Sequence, residues 1–143
     1  MKLDPNIWGP QYWFFLHTSA LSYPIKPNDT IRKKFYDFIH NFPIFIPDPK
    51  IASSFSELLE KYPVSPYLDS KDSLVRWTHF IHNKINTKLE KDQISLGKFY
   101  TEYYKRYETI SEKQVEYVKT KRHIVYAVLV IFMGIIIFTV SRQ

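Results

Sequence analysis

From Ile124 to Val140 the chain carries no charged residue: IVYAVLVIFMGIIIFTV. A helix that is apolar on every face cannot stand alone in water and must be covered by protein or by lipid. These ~17 residues make ~25 Å of helix, the short end for a bilayer span. Lys119, Lys121 and Arg122 precede the run and Arg142 follows it. Long cations of this kind reach out to headgroups and lengthen the effective span. A buried core helix would need partners on every side, which a cation-flanked run at the far C-terminus rarely finds. The expectation is therefore a single-pass membrane protein with a C-terminal anchor at 124–141. A basic juxtamembrane helix or linker covers 111–123, and a helical domain covers 1–110. No signal peptide is read, because Met1-Lys2-Leu3-Asp4-Pro5 leads directly into that domain. The basic flank favours a cytosolic N-terminal domain.

The anchor also accounts for most of the charge. Lys119, Lys121, Arg122 and Arg142 supply four of the net +6. The excess is juxtamembrane, so its expected partner is anionic lipid and not nucleic acid, for which no motif is present.

Ahead of the anchor, apolar residues recur with helical and not with strand period. Trp13, Leu16, His17, Ala20 and Leu21 share one face of a helix expected to begin near Gly9-Pro10 and to end at Tyr23-Pro24. Ile31, Phe35, Phe38, Ile39 and Phe42 form a second stripe after the capping run Asn28-Asp29-Thr30, and Pro43 stops it. A third helix starts at Asp48-Pro49, with Ile51, Phe55, Leu58 and Leu59 inward. Ser70 caps a fourth, lined by Leu74, Trp77, Ile81, Ile85 and Leu89. Ser95 caps a fifth, rich in tyrosine from Phe99 to Tyr107. From Ser111 the helical pattern runs toward the membrane with Glu112, Lys113 and Glu116 solvated.

Three segments of this pattern resemble the ERV/ALR family of FAD-linked sulfhydryl oxidases. The first is Trp8-Gly9-Pro10-Gln11-Tyr12-Trp13-Phe14-Phe15-Leu16-His17-Thr18, followed by Tyr23-Pro24. The second is Phe38 to Ile51, where the family writes P-C-x-x-C. The third is Trp77 to Lys91, which carries His82-Asn83 and Asn86 where the family has H-N-x-V-N. The resemblance implies an all-α fold: a four-helix bundle of the ERV/ALR type, a short fifth helix and, here, a C-terminal transmembrane helix. It also implies FAD at one end of the bundle and a homodimer. By position, Trp13, His17, Tyr23, His82, Asn83, Asn86 and Lys91 would be the cofactor-binding residues. Flat rings suit adenine, amides supply paired donors and acceptors, and Lys91 would balance phosphate. Each of these residues also has a purely structural reading in a helix bundle, so the sequence leaves open whether FAD is kept or the pocket is filled by side chains.

At the two positions of the redox cysteines stand Asp48 and Ile51, and the chain has no cysteine at all. Dithiol oxidation needs a thiolate. Asp48 instead suits a helix N-cap, and Ile51 falls on an apolar stripe. A CxxC bridge closes a very short loop, so losing it costs little stability. No catalytic residue is therefore assigned. No other enzyme motif appears, and His79 with His82 lacks a third metal ligand, so no metal site is read. The resulting expectation is a catalytically inactive, membrane-anchored structural or interaction protein. By analogy with the family's occurrence in large DNA viruses, it could be a virion component linking inner membrane and capsid proteins, with its bundle facing the cytosol or the capsid. The rival is an FAD-linked thiol oxidase that relies on the cysteines of a partner.

Overall fold

The computed structural model describes residues 3–140, with side chains except those of 108–113 and 139–140. Five α-helices follow one another: α1 (Pro5–Leu21), α2 (Asp29–Asn41), α3 (Pro49–Lys61), α4 (Lys71–Lys88) and α5 (Leu96–Val140). Short 3₁₀ turns, Phe42–Phe45 and Ser65–Tyr67, follow α2 and α3. No strand occurs among the described residues.

The helix starts follow from local chemistry. The side chain of Asn28 accepts from Ile31 N at 2.9 Å, and that of Ser70 accepts from Ser73 N at 3.3 Å. Each satisfies a backbone donor that the first helical turn leaves without a partner. α1 begins four residues earlier than Gly9. Asp4 accepts from Asn6 N at 2.8 Å and Pro5 occupies the first helical position, a stronger start than the one expected at Pro10. Pro10 is carried inside the helix on its exposed side, where the carbonyl it cannot bond can turn to water. α4 ends in a left-handed turn. Glu90 has φ 56°, and Lys91 N returns to Asn86 O at 2.8 Å, the Schellman arrangement. This turn leaves Leu89 past the helix and exposed, not on the inner face where periodicity places it.

The core sits among α1 to α4. Leu16 and Ala20 of α1, Ile39 of α2, Phe55, Leu58 and Leu59 of α3, and Leu74, Trp77, Ile81 and Ile85 of α4 are all buried. Each large aliphatic or aromatic group removed from water contributes about 1.5–3 kcal/mol. Loops are tied to this core by aromatic polar tips: Trp77 Nε1 donates to Tyr62 O at 3.1 Å, and Tyr23 Oη donates to Leu68 O at 2.8 Å.

The chain divides into two compact units, Met1–Phe99 and Tyr100–Gln143. In the second, Tyr100 and Tyr104 lie parallel, and the Tyr103 and Tyr107 hydroxyls are 3.0 Å apart. The short fifth helix and the apolar terminal helix form one uninterrupted α5. The last proline is Pro66, and within α5 only Gly97 and Gly134 lack a side chain, so nothing breaks the helix. Its segment Gln114–Phe138 has mean hydropathy 1.9, and none of it is buried inside the protein. Met1, Lys2, Ser141 and Arg142 lie outside the described residues, as do the side chains of Glu112 and Lys113.

Candidate functional site

α1 and α4 pack against each other and bring three rings together. Trp13 and His17 are one turn apart on α1, and His82 comes from α4. Trp13 stacks on His82 with centroids 3.9 Å apart and planes 10° apart. His17 Nε2 lies 2.9 Å from His82 Nδ1. Phe99, in the first turn of α5, closes on His17 at 4.3 Å between ring centroids. His17 is buried, whereas Trp13 and His82 are half-buried, so the stack keeps a side open to solvent.

Burial is the main reason that both histidines resist protonation. It lowers His17 to about 3, helped by the positive charge that His82 and His79 would carry. His82 is lowered to about 4, first by burial and then by His79 and Lys91. Both rings are neutral at pH 7, so the bond between them is one N–H shared by two imidazoles. Whichever ring donates, His17 Nδ1 is left over. It is buried and has no hydrogen-bond partner. An unpaired buried polar atom of this kind costs about 1–3 kcal/mol unless a further group meets it.

Trp13 also borders an apolar slot among α1, α2, α3 and α4, with Phe35, Phe38, Phe55, Trp77 and Ile81 among its walls and about 10 Å³ of space. Space of that size holds about one water.

The other residues expected at the site divide into two groups. Asn86 is buried on α4 one turn beyond His82, and its carbonyl holds Lys91 N. Lys91 is exposed, with Nζ 3.4 Å from Asn6 Oδ1. Asn83 spends its amide on a loop: Nδ2 donates to Ile94 O at 2.9 Å, and Oδ1 accepts from Ile94 N at 2.9 Å. Tyr23 is fully buried, its hydroxyl committed to Leu68 and its ring against Phe35. It therefore supports a wall of the slot and is not a partner of the Trp13–His82 stack.

Sequence reasoning passes over Asn6 and weighs His79 only as a metal ligand. His79 Nε2 lies 2.7 Å from Ile94 O, beside Asn83. Its spacing to His82 is visible in the sequence, but there it suggests only metal ligation. Among the described residues, no group of three metal-ligating side chains exists.

At the start of α3, Asp48 Oδ1 accepts from Lys50 N at 2.9 Å and from Ile51 N at 3.1 Å. The carboxylate thus takes up backbone donors that lower a thiol pKa when a cysteine stands at a helix start. Ile51 is half-buried on the same turn.

Comparison with known proteins matches residues 10–105 to the family described as Erv1 / Alr. A probable FAD-linked sulfhydryl oxidase of Acanthamoeba polyphaga mimivirus is 35% identical over 85 residues, which is 59% of this chain and 59% of that protein. The chain thus spans about three fifths of that relative's length. An FAD-linked sulfhydryl oxidase of African swine fever virus (isolate Warthog/Namibia/Wart80/1980) is 31% identical over 79% of this chain and 90% of its own. Among solved structures, the FAD-binding domain of Erv1 from Saccharomyces cerevisiae superposes with a TM-score of 0.63 at 29% identity, covering 73% of this chain and 93% of that one.

Proposed function

The chain belongs to the Erv1/Alr family, and from that premise we propose that it is a thiol-inert member: a flavin-holding helical bundle, tethered to a membrane by α5, that serves as a structural or interaction module. The observation that carries this reading is Asp48. Its carboxylate occupies the α3 cap at one of the family's two cysteine positions, and no cysteine exists elsewhere in the chain to replace the lost pair. No dithiol step can pass through this chain's own side chains.

The site residues fit FAD by their donor set. The buried His17 Nδ1 lacks a protein partner, and a polar edge of the nucleotide would supply one. Trp13 and His82 are flat rings that are stacked on each other and only half-buried, and Lys91 offers an exposed cation for phosphate. The His17–His82 pair is neutral at pH 7 and adds no positive charge of its own beside Lys91. When bound in such a site, FAD supplies two-electron redox chemistry. Here Trp13, His17, His82 and Lys91 would bind and orient it, and its role would be structural.

The exposed, apolar Gln114–Phe138 segment supports the tether. The viral relatives support a virion membrane as the setting, with the bundle turned toward the capsid. The test is to purify the full chain in detergent and record flavin absorbance and thiol-dependent oxygen consumption. Yellow protein without turnover supports the proposal. Thiol oxidation by the isolated chain overturns it, and folded colourless protein removes the cofactor from it.

A further inference from the structure

We infer that Lys119, Lys121 and Arg122 form a collar that binds the phosphate-bearing headgroups of an acidic bilayer leaflet and makes the anchor selective for it. This rests on the anchor reading above and adds a lipid class to it. At about 100° per residue, the three side chains stand about 0°, 200° and 300° around the helix axis. They fall within an arc of about 160°, a half-collar on one side of α5, and all three are exposed.

The collar's height along the helix is also right. Arg122 is ~3 Å and Lys119 ~8 Å from the start of the uncharged run at Ile124, at 1.5 Å per residue. Those distances place the cations at headgroup depth when the run is in hydrocarbon. Tyr117 and Tyr126 bracket the collar and are both exposed, as interfacial tyrosines are. Lys121 Nζ lies 4.9 Å from the centre of the Tyr117 ring, so this cation is partly held in place.

The charges are uncompensated. Beyond Glu116 the sequence contains no acidic residue. None of the three cations joins an ion pair among the described residues, whereas the bundle matches Lys33 with Asp37, Arg76 with Asp72, and Lys88 with Glu57. A cation near an acidic surface gains about fivefold in partitioning, so three give on the order of 100-fold at low salt.

The test dilutes the full chain from detergent into vesicles of phosphatidylcholine, with or without phosphatidylserine, at limiting lipid, and measures the bound fraction by flotation. The expected result is strong preference for the acidic vesicles, weakened by added salt. The variant K119Q/K121Q/R122Q should lose that preference while still floating with neutral vesicles, and K33Q/K34Q in the bundle should retain it. Equal wild-type binding to both vesicles overturns the collar and leaves the anchor standing. An equal loss in K33Q/K34Q also overturns the collar, since the effect would then be general charge. A chain that floats with neither vesicle overturns the anchor and the collar together.

Discussion

His17 Nε2 of α1 meets His82 Nδ1 of α4 at 2.9 Å, and this contact joins two helices through a bond that exists only while at least one ring is neutral. Both rings are held neutral well below the usual histidine range. The bond is the polar centre of an otherwise aromatic contact, and its protonation behaviour makes a sharp prediction.

The unfolded chain takes up a proton at each histidine near pH 6.5, whereas the folded chain does so only near pH 3 to 4. Between those limits the unfolded state binds more protons, so stability rises with pH and is lost as pH falls. Each ring contributes a slope of at most about 1.4 kcal/mol per pH unit. Urea unfolding of the full chain at pH 7.5, 6.5 and 5.5 should show a progressive loss. His17→Asn should flatten that loss, because its side chain does not titrate.

Asp48 caps α3 at a position where the family places a cysteine nucleophile. Asp48→Ala should cost about 1 kcal/mol, the usual worth of a side-chain N-cap. The denaturation midpoint should fall with an unchanged slope, since the change removes a local bond and not core surface. An Asp48→Ala variant as stable as the wild type would show that the carboxylate is not holding α3.

Asn83 stands at a position expected to hold the cofactor, yet both ends of its amide hold Ile94. Asn83→Asp keeps the acceptor for Ile94 N and removes the donor to Ile94 O. It should destabilise by about 1–2 kcal/mol, because a carboxylate then faces a carbonyl. Hydrogen exchange at the Ile94 amide should stay slower in Asn83→Asp than in Asn83→Ala. If both variants exchange alike, the clamp is not what orders this loop.

The parts of the fold that are legible in the sequence are those decided within a few residues. Asn28, Asp48 and Ser70 read as caps because an N-cap depends only on its own first turn. The stripe Leu74, Trp77, Ile81 and Ile85 reads from periodicity and is buried throughout. The start of α1 differs from expectation because Asp4-Pro5 and Gly9-Pro10 are both plausible openings, and only the longer helix uses the Asp4 carboxylate. Leu89 looks periodic, but the left-handed Glu90 turn ends α4 before it. The run of the helical pattern from Ser111 toward the apolar segment is legible, and the absence of proline beyond Pro66 accounts for the unbroken α5. The site is less legible still. Trp13, His17 and His82 can be named by position, but their stacking, the shared proton and the orphan His17 Nδ1 arise from the α1–α4 contact. Tyr23 matches the expected pattern, although its hydroxyl serves a loop carbonyl 45 residues away.

Oxygen consumption with a small dithiol substrate, measured on the purified full chain beside its Asp48→Cys/Ile51→Cys variant, tests the central claim most directly. The account predicts a wild-type rate no greater than that of buffer containing free flavin, and a rate above that level once the two cysteines are installed at the start of α3. Sustained dithiol oxidation by the wild-type chain alone would contradict it.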